Sequence, residues 1–492
     1  MLCVSVAGPT IGQAKAQIET ANTYRCAVEL RVDLLEERSL ETISRLQTIV
    51  AGPLVLTFRT QAQGGGGRVS AAEYALFLRQ LIRLNPQYLD VEYHLPEAEV
   101  MNLAKLSPNT KILVSYHNFE NMTVPENIFP KMENVLYKAA CMTCRSSDSL
   151  SLMSLMAQQS DRIHIGMGEH GAAARIAAKK FNHPLSFCTA GKEGVIAAPG
   201  QVAVKDLFQT YRWEAIGSNT ALYGLIGDPI TRSISHKSHN LAFDHLQQDA
   251  VYVKMRVPAA ELEEFCCKLR NAYFCGLSVT MPLKEQIIPF LQAVDPDAAR
   301  IGAVNTLRIE QGRITGYNTD GTGALNAIEE HVPIFGKKIG MIGAGGAAKA
   351  IAYEAVRRGA QVTVFNRTPE RAAQLAQNLN CQACDLGEIS QKGPFDLLIN
   401  CTPVDPQIPM QDLAHAQYAM DISTLPVLTP FLAQAQQAGC KLIYGYEMFT
   451  HQAAGQFNLW FGNNPSHLRA LKAAVLKALK TFVFPFIYSS SP

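Results

Sequence analysis

Lys138 lies in the run Asn134-Val-Leu-Tyr-Lys138-Ala-Ala, an otherwise apolar stretch with the pattern of a strand. An ammonium in such a place is costly unless it is paired or neutralised. Desolvation lowers a lysine's pKa, and the neutral amine can attack a carbonyl carbon to form an imine. His117 closes the preceding strand-like run, Lys111-Ile-Leu-Val-Ser-Tyr-His117, where it could serve as general acid or base. Each alone also fits a bland role, as rim lysine or structural histidine; on adjacent strands they could equally make an imine-forming pair. A second chemistry lies further along. Lys338-Ile-Gly-Met-Ile-Gly343-Ala-Gly345-Gly346-Ala347-Ala348-Lys349 reads as strand, glycine-rich turn and helix, with Val362-Thr-Val-Phe-Asn366-Arg367-Thr368 as the next strand and its end. That context turns a weak glycine pattern into a dinucleotide site. Gly343 permits the tight turn, Gly345 lets backbone approach a pyrophosphate, and Gly346 and Ala347 open a helix whose free N–H groups favour the anion. An NAD site usually carries Asp or Glu after the second strand. Asn366, Arg367 and Thr368 suit a 2′-phosphate instead, so NADP is the expected cofactor.

Those residues need a scaffold, and the front half has a countable rhythm. Strand-like runs recur at 2–6, 27–33, 54–59, 88–93, 111–117, 134–140, 162–166 and 184–189, each followed by a segment long enough for a helix. Eight strands alternating with helices imply a parallel sheet, and eight is the number that closes a (β/α)8 barrel. The C-terminal strand ends build the active site of such barrels. Glu29, Arg31, Arg59, His117 and Lys138 all fall there.

With 492 residues the chain exceeds one hydrophobic core, so at least two domains are expected. A formal charge of +2 with interspersed signs argues against a nucleic-acid footprint. The first residues lack the basic start of a signal peptide, and the late apolar run 482–488 is too short to span a bilayer. A cytoplasmic enzyme acting on small molecules, with neither membrane nor nucleic-acid partner, is the expectation. Two CxxC pairs occur among twelve cysteines, Cys141 with Cys144 and Cys381 with Cys384, but more than two hundred residues separate them. Reduced thiols and no metal site are expected.

The front half resembles the type I 3-dehydroquinate dehydratase family. The matching pieces are Glu29-Leu-Arg31-Val-Asp33, Thr57-Phe-Arg59 before a glycine-rich loop, Ser115-Tyr-His117-Asn-Phe, Tyr137-Lys138, Gly168 with Arg175-Ile, and Ala198-Pro-Gly-Gln201. The resemblance implies a Schiff base on Lys138, with His117 moving protons, and places Glu29, Arg31, Arg59, Arg175 and Gln201 around the substrate's hydroxyls and carboxylate. It also implies that Pro199-Gly200 and the run Gly64 to Gly67 are flexible loops closing over the ligand. Gln63 stands where a glutamate commonly supports the histidine, and Ala197 where a serine is usual, so an altered histidine pKa and pH profile are expected.

The back half, from about Ser218, resembles shikimate dehydrogenase. The carrying motifs are Tyr223-Gly-Leu-Ile-Gly-Asp-Pro-Ile-Thr-Arg-Ser233-Ile-Ser235-His, Gly276-Leu-Ser278-Val-Thr280-Met-Pro-Leu-Lys284, Gly302-Ala-Val-Asn305, Gly316-Tyr-Asn-Thr-Asp320-Gly and Met448-Phe-Thr-His-Gln452-Ala. The resemblance implies carboxylate binding by Ser233 and Ser235, and ring-hydroxyl contacts from Thr280, Asn305 and Gln452. Lys284 and Asp320 become the acid–base pair. Ser278 replaces a common asparagine, His236 a common proline, and Ser423-Thr424 a tyrosine region, which bears on affinity more than on reaction type.

The expected fold class is therefore α/β: a (β/α)8 barrel over 1–212, then a two-lobed unit. Its substrate lobe covers 219–325 with about 446–492, and its Rossmann NADP lobe 326–445. The implied function is a bifunctional shikimate-pathway enzyme, dehydrating 3-dehydroquinate and then reducing 3-dehydroshikimate. The alternative is a quinate/shikimate dehydrogenase whose barrel only binds ligand. Oligomeric state is not encoded in any pattern.

Overall fold

The computed structural model describes residues 1–125, 128, 132, 135–159, 161–191 and 197–483. Its first sheet holds β1 (Leu2–Val6), β2 (Ala27–Arg31), β3 (Leu54–Thr57), β4 (Tyr88–Glu92), β5 (Lys111–Asn118), β6 (Val135–Met142), β7 (Arg162–Met167) and β8 (Ser186–Thr189). The order is β7-β6-β5-β4-β3-β2-β1-β8, with every strand beside its sequence neighbour and β8 returned to β1. All ladders are parallel, so the sheet is a barrel that nearly closes.

Side chains alternate along each strand, and the inward set changes character from bottom to top. Cys3, Ala27, Val55, Leu113, Ile163 and Leu185 fill the lower interior. Two or four residues further along β1 to β5 come Ser5, Glu29, Arg31, Thr57, Asp90, Glu92 and Ser115, all buried, while β6 carries Lys138. Period two thus gathers the polar residues at one mouth.

Helices follow β1 (Ile11–Thr23), β2 (Leu40–Gln47), β3 (Ala71–Leu81), β4 (Glu97–Leu106), β6 (Ser146–Gln158), β7 (Ala172–Ala177) and β8 (Val204–Gln209). Thr10 and Ser70 start two of them through capping boxes with Gln13 and Glu73. Strict alternation fails once: among the described residues the β5–β6 connection holds no helix. There Asn118 Oδ1 accepts from the N–H groups of Glu120 and Asn121, a local turn that competes with helix. Asn134, expected to open β6, lies outside the described residues. The connection at 213–218 is tied down: Lys179 Nζ donates to the carbonyls of Trp213 (3.1 Å) and Glu214 (2.6 Å), and Lys180 Nζ to that of Ser218 (2.8 Å).

By its contacts the chain divides into Met1–Leu222, with Asp249–Arg256 and Asn271–Tyr273, and the remainder. A mixed sheet follows the barrel in sequence: β9 (Ala221–Gly227), β10 (Ala250–Arg256), β11 (Phe274–Val279), β12 (Ala293–Val294), β13 (Thr306–Glu310) and β14 (Arg313–Tyr317), in the order β10-β9-β11-β13-β14-β12. Next come β15 (Lys338–Ile342), β16 (Gln361–Asn366), β17 (Gln382–Asp385), β18 (Phe395–Asn400), β19 (Ala416–Asp421) and β20 (Lys441–Ile443). They run parallel in the order β17-β16-β15-β18-β19-β20, the Rossmann arrangement whose reversal point lies between β15 and β18. The helix Gly346–Arg357 lays Ala348, Ile351, Ala352 and Ala355 on that sheet's core. Late helices span Gly445–Phe461 and Ser466–Val483. The apolar run 482–488 lies largely outside the described residues, and no described helix is long and apolar enough to cross a membrane.

Three histidines make the fold acid-sensitive. Burial holds His164, His183 and His239 down to about 4. Each would take up a proton near pH 6.5 once unfolded, but in the fold only near 4, so the unfolded chain binds more protons between those limits. Stability therefore falls as pH drops through that window, by about 2 kcal/mol per histidine at pH 5. Melting temperatures measured from about pH 7 to 5 should fall, and His183→Gln, which keeps an acceptor for the His164 N–H, should blunt the slope.

Candidate active sites

One cavity at the barrel mouth gathers all seven front-half candidates: Glu29, Arg31, Arg59, His117, Lys138, Arg175 and Gln201 line it. Lys138 is 2 % exposed, and its Nζ lies 2.5 Å from Asp90 Oδ2, 3.8 Å from Glu29 Oε1 and 4.7 Å from the centre of the Phe187 ring. Burial pushes the Asp90 carboxyl up, but Arg59 and Lys138 overcome it and hold the group below the usual range. Asp90 Oδ1 accepts from Arg59 Nη2 and from Ser115 Oγ, each at 2.7 Å. Glu29 accepts from Ser5 Oγ (2.6 Å) and Thr57 Oγ1 (3.1 Å), and Gln201 Nε2 donates to Ser5 Oγ at 2.9 Å.

Polar atoms in this cavity lack partners among the described residues: His117 Nδ1, Arg175 Nη2 and Gln201 Oε1. Buried polar atoms are nearly always satisfied, so a cluster of orphans points to a polar ligand. Arg175 pairs with no carboxylate among the described residues. Its Nε and Nη1 donate to the carbonyls of Gly166 (2.7 Å) and Phe187 (3.3 Å), and burial pulls its guanidinium down to about 10. It remains a cation at neutral pH with an open nitrogen. Burial, then the charges of Arg59, Lys138 and Arg31, depress the His117 imidazole well below its ordinary value. It is therefore neutral, the form a general base needs.

Arg31, while lining the cavity, is also engaged by Asp33 through Nε (3.0 Å) and Nη2 (2.8 Å). Gln63 Oε1 accepts from the backbone N–H of His117 at 2.8 Å, holding the main chain and not the ring. The glycine run expected to be a flexible loop makes backbone hydrogen bonds. Gly65, Gly66 and Gly67 donate to Thr60 O, Asp33 Oδ2 and Arg59 O, and a Cβ on Gly65 would stand 2.2 Å from Arg59 O. Close approach of backbone requires glycine there.

The second cluster sits where β11, β13 and the helices Leu283–Gln286, Asp320–Glu329 and Gly445–Phe461 meet. Lys284 Nζ donates to Asp320 Oδ2 at 2.5 Å, and Asn305 Nδ2 donates to Asp320 Oδ1 at 2.8 Å and Gln452 Oε1 at 3.3 Å. Thr319 N and Thr306 Oγ1 hold Asn305 Oδ1 at 2.9 and 2.7 Å. Four residues quoted from separate motifs thus share one network. Ser233 and Ser235 form their own pair, with hydroxyls 2.5 Å apart. Thr280 packs at the end of β9, where a Cβ on Gly227 would meet its methyl at 2.3 Å.

In the Rossmann sheet Gly343 takes a φ of +112° at the turn after β15, a conformation that favours glycine. A Cβ on Gly345 would meet nothing within 4 Å, so the approach to the helix N-terminus is open. Gly346 and Ala347 begin that helix, which has no side-chain cap. Asn366 ends β16 and donates to Thr368 O at 2.9 Å; Arg367 and Thr368 are exposed. These groups fit a dinucleotide with an anionic ribose substituent.

Sequence reasoning missed several participants. Asp90, Glu92 and Ser115 surround Arg59 and Lys138, and the alternating acids of Tyr88-Leu-Asp90-Val-Glu92 were the available signal. Gln456, four residues beyond Gln452 and so on the same helix face, accepts from Ser278 Oγ at 2.9 Å and donates to Thr306 Oγ1 at 3.1 Å. Ser278 thus serves this buried hub.

Comparison with known proteins gives a consistent picture. The type I 3-dehydroquinase family matches residues 2–218, the shikimate dehydrogenase substrate binding domain 225–307, and the shikimate / quinate 5-dehydrogenase family 327–422. A shikimate biosynthesis protein AroDE of Chlamydia pneumoniae is 35% identical over 468 residues, covering 94% of this chain and 95% of its own. The bifunctional 3-dehydroquinate dehydratase/shikimate dehydrogenase of Arabidopsis thaliana, named as chloroplastic, is 32% identical over 501 residues, covering 94% and 82%. Among solved structures, a shikimate dehydrogenase in complex with NADP+ is 33% identical with a TM-score of 0.50, covering 54% of this chain and 97% of its own.

Proposed function

The chain belongs to the family of fused type I 3-dehydroquinase–shikimate dehydrogenase proteins, and from that premise we propose that it dehydrates 3-dehydroquinate in the barrel and reduces 3-dehydroshikimate in the second unit. The observation that carries this reading is the trio of unpartnered polar atoms, on His117, Arg175 and Gln201, in one cavity with a buried lysine. In the barrel, Lys138 Nζ attacks the substrate ketone and forms an imine with loss of water. His117 then takes the proton beside the imine carbon and returns one to the departing hydroxyl. The open nitrogen of Arg175 receives the carboxylate, and Glu29, Arg31, Arg59 and Gln201 hold the hydroxyls.

In the second unit Ser233 and Ser235 receive the carboxylate, while Thr280, Asn305 and Gln452 fix the ring oxygens. Lys284 delivers a proton to the carbonyl oxygen as it becomes a hydroxyl, and Asp320 steadies the ammonium. Gly343, Gly345, Gly346, Ala347, Asn366, Arg367 and Thr368 would hold NADPH, which would supply the hydride.

Adding 3-dehydroquinate alone to the purified chain with NADPH tests the whole sequence when the product is identified: shikimate forms only if both halves work, whereas quinate would mean direct reduction by the second unit. Consumption with 3-dehydroshikimate but not with 3-dehydroquinate would instead favour a barrel that binds without catalysing, a reading motivated by Gln63.

Two substitutions probe finer points. Gln63→Glu places a carboxylate at the His117 backbone N–H, beside an imidazole held down by burial and then by three cations, so its pKa rises. The acid limb of dehydratase kcat/KM should then move to higher pH by about one unit, and an unmoved limb would remove Gln63 from the account. Arg367→Asp replaces a charge-assisted contact to a 2′-phosphate by repulsion and should raise KM for NADPH roughly 100-fold with little change for NADH. Equal effects on the two cofactors would contradict this pocket.

A further inference from the structure

We propose that Asp90 and Arg59 form a standing ion pair that compensates Lys138 while its charge comes and goes during turnover, Asp90 acting as counter-ion and Arg59 as the partner that remains when Lys138 is neutral. This rests on Lys138 being the imine former. Asp90 is fully buried on β4. One carboxylate oxygen lies 2.5 Å from Lys138 Nζ, and the other accepts from Arg59 Nη2 and Ser115 Oγ, both at 2.7 Å. Arg59 Nη1 donates to Ser115 Oγ at 2.7 Å and lies 3.7 Å from Glu92. Both terminal nitrogens of Arg59 thus have protein partners, whereas Arg175 Nη2 has none among the described residues.

The charge ledger explains the arrangement. An ammonium and a ketone give an iminium and water, with one positive charge on each side. Between them the amine is neutral, its proton handed to His117 and returned to the oxygen that leaves as water. The nitrogen is neutral again when His117 takes the neighbouring carbon's proton and the C–H pair moves into the enamine. Its charge returns when the hydroxyl leaves as water with that proton. A carboxylate paired with Lys138 alone would twice become a bare buried anion, or would take the proton itself. Arg59 prevents both by keeping Asp90 ionised and paired, which leaves proton transfer to His117. The other groups facing Lys138 are Glu29 at 3.8 Å, already accepting from Ser5 and Thr57, and the Phe187 ring, with His117 and Arg31 bordering the cavity.

The test is borohydride trapping of 3-dehydroquinate on Lys138 as a function of pH, in the full chain, read by peptide mass. Asp90→Asn leaves Lys138 facing Arg59 without its anion, so the acid limb of trapping should move down by at least about one pH unit while dehydration falls about 100-fold or more. Arg59→Met removes the competing cation, so the limb should move up. Opposite displacements are not expected of residues that merely support the fold. Limbs that stay in place, or move together, overturn the proposal. Should either variant fail to fold, Ser115→Ala withdraws a neutral donor from Asp90 and should move the limb up; an unmoved limb there overturns it too. No adduct in the unsubstituted chain would overturn the imine reading itself, and this proposal with it.

Discussion

Replacing Lys138 by methionine should lower dehydration of 3-dehydroquinate by a factor on the order of 10⁴ or more and abolish the borohydride adduct. Methionine keeps most of the volume and removes the amine, so the electron sink is lost while the packing against Phe187 remains. Asp90 keeps Arg59 and Ser115 as partners, which limits the loss of stability to less than that of a fully stranded buried charge. Reduction of 3-dehydroshikimate by the same preparation should stay within about twofold and serves as the folding control. Dehydratase activity above about one per cent of the starting value would show that the chemistry does not run through this nitrogen.

Lys284→Met and Asp320→Asn should each lower the dehydrogenase kcat by roughly 10²–10⁴, the range for loss of a positioned acid or base. The two share one hydrogen-bond network: Lys284 Nζ is 2.5 Å from Asp320 Oδ2, and Asn305 holds the carboxylate's other oxygen at 2.8 Å. The double variant should therefore be little worse than the worse single one. Losses that multiply would mean that the two residues act independently. KM for 3-dehydroshikimate should change less than kcat in Lys284→Met, because a proton delivered in the transition state is felt there and not in the ground state.

The strands of the barrel were legible because β-rich runs and turn residues alternate, and the runs at 2–6, 88–93 and 162–166 differ from β1, β4 and β7 by a residue or less at either end. The burial of Lys138 in the barrel was legible because a lysine is conspicuous among apolar neighbours. Its carboxylate partner was not. Asp90 is 48 positions away, and β5 stands between β4 and β6, so only barrel closure reveals the pair. Gln456 went unread because a glutamine on a helix carries no signal until Ser278 and Thr306 are seen to share it. The sequence reading of the glycine run at 64–67 as mobile missed that crowding demands glycine as firmly as freedom does.

That crowding has a genetic consequence. Every single-base change that alters a glycine codon's meaning introduces a Cβ or a stop. At Gly65 the new carbon would stand 2.2 Å from one carbonyl oxygen, and at Gly66 2.7 Å from another. Both positions are therefore dead ends for stepwise change, and a saturation library over this loop should return synonymous codons there almost alone. The neighbouring Gln63, by contrast, is one base from glutamate, so the identity of this residue is open to drift while the glycines beside it are not.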